Sequence, residues 1–163
     1  MPKNKLILAF ATFSCVMLIL LSGLFDTKSP YRFNLKGKSI ALEELEDLSG
    51  NAISLDKNSL IYIHSKTCIN CKSDMSLFKQ MDLKSYGNVL GLSIAGDIYY
   101  NDTGGMFSNV LRAKTSGFFV ELGISFVPVT LVVGRTGEII YSHIGKLNTK
   151  TIKDEIIPII SSE

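Results

Sequence analysis

A short apolar run leads straight into two closely spaced cysteines, and this junction constrains the fold more than any other feature of the chain. Leu60, Ile61, Tyr62 and Ile63 form a β-prone stretch within residues 59–64, read as a buried strand. Cys68 and Cys71 follow as a C-x-x-C at the head of residues 68–81, where Met75, Leu77, Phe78 and Met81 supply the apolar side of a helix. A helix N-terminus offers unpaired N–H donors and a positive dipole end, which lower the pKa of a cysteine placed there. Lys66 and Lys72 act in the same direction. Two intervening residues in a first helical turn leave the sulfurs close enough to join. Cys68, at the tip, is the expected attacking thiol. Cys71, one turn in, is the expected resolving thiol of a cycle through a mixed disulfide.

Taken alone, the pair admits other chemistry. A structural zinc needs four ligands, and His64 and His143, on different expected strands, are the only histidines to join the cysteines. Copper(I) accepts two thiolates alone. Two buried, inert cysteines are the plainest alternative.

The remaining chain alternates in a way that suits an α/β fold. A small hairpin is expected near residues 40–55 around the turn Ser49-Gly50-Asn51, and a strand over 89–95. Residues 104–122, with Phe107, Val110 and Leu111, suit a helix. Residues 128–133 and 138–143 read as strands joined by the turn at 134–137, and 149–160 as a closing helix that Pro158 disturbs near its end. Alternation at the start implies a parallel βαβ unit, and the short glycine turn an antiparallel hairpin. The acidic cluster Glu43, Glu44, Glu46 and Asp47 reads as a solvated face. Asn101-Asp102-Thr103 is a sequon, of consequence only in a eukaryotic secretory setting.

Residues 6–25 carry no charge, and in a helix they would span about 30 Å, the thickness of a bilayer's hydrocarbon core. Lys3 and Lys5 precede them, the pattern of a signal anchor. Leu21, Ser22 and Gly23 make a weaker, cleaved alternative. Cys15, inside the run, reads as a small apolar filler because Thr12-Phe13-Ser14 is a poor lipidation lead-in. The expected division is an anchor at 1–25, a linker at 26–37 and one domain at 38–163. Lys28, Arg32, Lys36 and Lys38 follow the span, so basic flanks do not orient it. The net charge of +2 gives no support for a nucleic-acid partner. Three cysteines exclude a multi-disulfide scaffold.

Both cysteines and a second segment carry a resemblance. Residues 122–140, with Val127-Pro128 before a β run and Gly137 in the turn to its partner, look like the second signature of the thioredoxin superfamily. Ser142-His143-Ile144-Gly145 and the helix after it look like the family's ending. The resemblance implies a thioredoxin-like fold, a central mixed sheet flanked by helices. It implies a cis Val127–Pro128 bond packed beside Cys68. It implies that the backbone of Val127 pairs with an extended substrate, with Thr67, Ile69 and Asn70 around the cysteines in the same docking surface. No cofactor beyond the dithiol is implied. The anchor, the N-terminal hairpin and the added segment between Cys71 and Pro128 resemble the TlpA/ResA type. That likeness implies a single-pass protein of the cytoplasmic membrane with an extracytoplasmic domain. Such a protein reduces or exchanges disulfides of exported proteins, as in cytochrome c maturation, and is recharged by a membrane thiol donor. This type carries a carboxylate three residues after the second cysteine, here Asp74, which would move a proton to or from Cys71. The alternative reading of Asp74 is an acid favoured by the dipole near the helix start.

The sequence also departs from the family. Thr67 stands where an aromatic residue is usual, and Tyr62 where thioredoxin itself has a buried acid. Ile69-Asn70 matches neither the Gly-Pro of thioredoxin nor the Pro-His of strong oxidants. His64 is read as a polar strand-end residue, or else as a group tuning the Cys68 thiolate. A redox-inert or copper-carrying binding module is the alternative function. A peroxidase is disfavoured because no Pro-x-x-x-Thr lead-in precedes Cys68.

Overall fold

The computed structural model describes residues 34–94 and 105–162. Asn34–Glu163 forms one compact unit. The expected anchor at 6–25, Cys15 and the sequon lie outside the described residues. Among the described residues no helix is long and apolar enough to cross a membrane.

Six strands form one sheet: β1 (Leu45–Asp47), β2 (Ser59–His64), β3 (Asn88–Ser93), β4 (Asn109–Ala113), β5 (Val129–Val133) and β6 (Ile139–Ile144). Their spatial order is β1-β4-β3-β2-β5-β6. β2, β3 and β4 run parallel, and β5, β6 and β1 pair antiparallel to their neighbours, so the sheet is mixed as expected. Besides the short 3-10 turns Leu42–Glu44 and Leu83–Ser85, the described residues form α1 (Ile69–Gln80), α2 (Gly117–Leu122) and α3, which runs from Thr149–Thr151 through a π turn (Ile152–Ile156) to Ile157–Ile160. The π turn ends two residues before Pro158. A proline ring clashes with the carbonyl four residues back and offers no N–H, and the wider turn relieves both.

All six residues of β2 are buried. Alternate side chains enter two cores, one on each face of the sheet. Ile61 and Ile63 join Leu92, Leu131 and Phe118 on the α2 side. Leu60 and Tyr62 join Phe78 of α1 and Ile152 and Ile156 of α3 on the other.

Two expectations change. The helix expected over 104–122 is confined to Gly117–Leu122, and Asn109–Ala113 is instead strand β4, in register with Leu90–Leu92 of β3. Val110 and Leu111 enter opposite cores, which is a period of two and not 3.6. An unpaired edge on β3 outweighs the local helical pattern. The hairpin near 40–55 shrinks to one bridge, Glu46 with Ala52, because β1 takes β4 as its partner. Its turn is present: the Asp47 carboxylate accepts the N–H groups of Ser49 and Asn51, and Gly50 takes a φ of +84°. Leu35, inside the segment read as linker, is wholly buried, and its N–H donates to Ser142 Oγ.

Phe107 lies flat over Gly91 of β3, where an added Cβ would stand 2.5 Å from the ring. Gly91→Ala is expected to destabilise the protein by about 1–3 kcal/mol through overpacking. Phe107→Leu should recover part of that loss. Denaturant unfolding of the two single variants and the double variant checks the coupling.

Candidate functional site

The chain leaves β2 at His64, turns through residues 65–67 and enters α1 with Cys68 as its N-cap. Cys68 has extended backbone angles, so its side chain lies over the first helical turn. There the N–H of Cys71 donates to Cys68 Sγ at 3.0 Å. Cys68 and Cys71 are joined by a disulfide with their Cα atoms 5.2 Å apart. Cys68 is half-buried and Cys71 is fully buried, so the two sulfurs stand in unequal environments.

The Val127–Pro128 bond is cis, as the resemblance implies. Val127 is half-buried and packs on the same core as Cys68 and Cys71. Around this centre, Thr67 and Asn70 are exposed, and Ile69 and Phe126 are two of the few large apolar side chains open to water, at 83% and 44%.

Asp74 is not an exposed acid near the helix start. It is completely buried, in the second turn of α1 on the side of Cys71. The Tyr62 hydroxyl donates to Asp74 Oδ2 at 3.0 Å, and the Leu147 N–H donates to Oδ1 at 3.1 Å. Burial raises the pKa of Asp74 above the usual carboxylate range, opposed by these two donors and by electrostatic interaction with Lys146 and His143. The structure thus joins three chain segments at one carboxyl group. Sequence reasoning found Asp74 but missed its partners. Tyr62 was legible in one respect, because a tyrosine inside an apolar strand needs a partner for its hydroxyl. The Leu147 N–H carries no sequence signal.

His64 ends β2 as expected, but it is buried at 2% exposure. Its ring stacks on Phe107 at 5.6 Å and on Tyr62 at 6.0 Å, and its Nε2 has no hydrogen-bond partner. Burial pushes its pKa down to about 4, so near neutral pH it brings no charge to the thiolate. His143 contacts the Lys146 carbonyl instead. Among the described residues no three His, Cys, Asp or Glu side chains assemble as a metal site.

This arrangement is the thioredoxin fold, with a C-x-x-C disulfide capping the first long helix and a cis proline opening β5. Solved structures agree on the fold. A thio-disulfide isomerase from Thermus thermophilus superposes with a TM-score of 0.60 at 18% identity, covering 78% of this chain and 99% of that one. A thiol:disulfide interchange protein from Bacteroides sp. gives 0.57 at 17% identity, over 78% and 91% of the two chains. StoA from Bacillus subtilis gives 0.53 at 14% identity, over 70% and 97%. No protein-family model matches the sequence, and no curated relative matches it.

The buried His64 makes acid stability testable. Its folded pKa of about 4 lies below the ordinary 6.5. Its contribution is therefore complete above 6.5 and is lost as pH falls toward 4, where the unfolded chain binds the proton first. The loss is on the order of 3 kcal/mol. His64→Phe keeps the ring stack and should flatten stability over that window, read by denaturant unfolding at a series of pH values.

Proposed function

We propose that the protein is a thiol–disulfide oxidoreductase that reduces or exchanges disulfides of exported proteins. Residues 1–25 would anchor it in the cytoplasmic membrane, the residues up to 33 would link, and 34–163 would work on the extracytoplasmic side. The observation that carries the reading is the asymmetric disulfide. Cys68 is half-exposed at a helix N-terminus, while Cys71 is sealed beneath it on the side of a buried carboxyl group.

In the reducing direction, the Cys68 thiolate attacks a substrate sulfur and expels the other substrate sulfur as a thiolate, which takes a proton from water. Cys71 then gives its proton to the Asp74 carboxylate and attacks Cys68 Sγ. The Cys68–substrate bond breaks, and the second substrate thiolate leaves and is protonated. The Cys68–Cys71 disulfide that remains is reduced again by a membrane dithiol donor. Pro128 in its cis bond holds the Val127 backbone open to an extended substrate, and Thr67, Ile69, Asn70 and Phe126 form the surface around it. The positive helix end lowers the cost of the Cys68 thiolate. The solved structures with this fold include a thiol:disulfide interchange protein, which supports the reaction class.

The test uses full-length protein with Cys15→Ser, so that two thiols are followed. Titration of the Cys68–Cys71 couple against dithiol buffers should give a reversible two-electron potential near or below about −270 mV, the value of a reductant. A potential near about −120 mV would reverse the direction to disulfide insertion. No reversible couple, with tight copper(I) binding, would replace the oxidoreductase with a metal carrier. Cys68→Ser should abolish disulfide reduction, and Cys71→Ser should accumulate the mixed disulfide, seen by mass spectrometry.

A further inference from the structure

The proton acceptor proposed for Cys71 is a carboxyl group buried to 0% exposure, and a buried group that changes protonation state faces a particular difficulty. The ionised form needs hydrogen-bond donors. The neutral form carries a proton of its own and needs an acceptor. A fixed backbone N–H can donate to either form but cannot accept the carboxyl proton. The Leu147 N–H, on Asp74 Oδ1, is such a group. The Tyr62 hydroxyl is not, because it can donate and accept through the same oxygen.

The local geometry gives Tyr62 both roles. Its oxygen lies 3.0 Å from Asp74 Oδ2 and 3.5 Å from the carbonyl oxygen of Cys71. With Asp74 ionised, the phenol proton points at the carboxylate. With Asp74 protonated, the carboxyl proton points at the phenol oxygen, and the phenol proton turns toward the Cys71 carbonyl. Neither state leaves a buried donor without an acceptor, and the second needs the phenol oxygen to approach the Cys71 carbonyl by only about 0.5 Å. Packing holds the ring in place: Phe78 meets it edge-on at 4.9 Å, and His64 and Phe107 stack against it. Burial and the neighbouring carboxylate raise the phenol's own pKa, so Tyr62 stays protonated and does not compete as a base. The other titratable groups acting on Asp74 are His143, in β6, and Lys146, in the loop after it.

We propose that Tyr62 is a positioning residue for the resolving step, a hydroxyl rotor that lets Asp74 take up and release the Cys71 proton in place. The inference rests on the reading of Asp74 as that proton's acceptor and adds the device that makes the transfer reversible inside the core.

The experiment follows one turnover. Full-length protein with Cys15→Ser is loaded at Cys68 with thionitrobenzoate as a mixed disulfide. Cys71 loses its proton to Asp74 and attacks Cys68 Sγ, the Cys68–thionitrobenzoate bond breaks, and the released aryl thiolate is read by absorbance across pH. In the parent protein the rate should rise with pH through one inflection set by Asp74. Tyr62→Phe keeps the ring and removes one donor to the carboxylate. It should move that inflection up by about one to two pH units while leaving the high-pH rate alone. Asp74→Asn should remove the inflection.

A second readout needs no turnover: the Asp74 carboxyl carbon, titrated by NMR in the oxidised protein, should shift upward by the same amount in Tyr62→Phe. If Asp74→Asn keeps the inflection, both the Asp74 reading and this inference fall. If Asp74→Asn removes it but Tyr62→Phe leaves the profile and the carboxyl titration unmoved, or lowers the rate equally at every pH, Tyr62 is structural only and this inference alone falls.

Discussion

Burial of β2 on both faces is the constraint from which the rest of the structure follows. Its six residues have no solvent-facing side, so both neighbouring strands and both covering layers must be present for it to form. Each large apolar side chain it buries is worth about 1.5–3 kcal/mol, while each buried polar group costs unless partnered. The same strand delivers the chain to α1 at the sheet edge where the parallel strands β2, β3 and β4 all end. In open α/β sheets this edge is where helix N-termini gather and where sites form. The position of Cys68 is thus a consequence of how β2 is buried, and not of the cysteine pair itself.

The two cysteines then meet opposite electrostatics within one helical turn. Cys68 sits at the positive end of α1, with a backbone N–H on its sulfur. Cys71 is enclosed by the sheet and by α1's own inner side, where burial dominates and charged forms are disfavoured. Asp74 shows which effect prevails there. Two hydrogen-bond donors and the nearby Lys146 and His143 favour its ionised form, yet burial still leaves its pKa raised. A carboxyl group in that balance lies closer to neutral pH than an exposed one, as general acid–base work requires.

Tyr62, one of the departures from the usual thioredoxin pattern, sits in one connected block of rings. His64 and Phe107 stack beside Tyr62, and Tyr62 reaches the carboxyl group from the sheet side. The acid that thioredoxin places on this strand is thus replaced by a phenol, with the carboxylate carried on α1. His64 remains neutral near pH 7 within that stack, and among the described residues its Nε2, Ser93 Oγ and Thr130 Oγ1 are the buried side-chain atoms without a hydrogen-bond partner.

The sequence by itself determined the junction of strand, C-x-x-C and helix, the proline turn before β5, the hairpin β5–β6 and the closing helix. These depend on local periodicity and on residues with narrow backbone preferences, which act within a few positions. It also placed Asp74 on the side of Cys71, because three residues is nearly one helical turn. Tertiary structure alone decided that residues 109–113 extend as a strand, since the open edge of β3 is invisible from within that segment. It alone decided that β1 takes β4 as its main partner and keeps only one bridge to its sequence neighbours. The grouping of Tyr62, Asp74 and Leu147 was also beyond local reasoning. A backbone N–H has no sequence signature, and its partner lies 73 positions away in the chain.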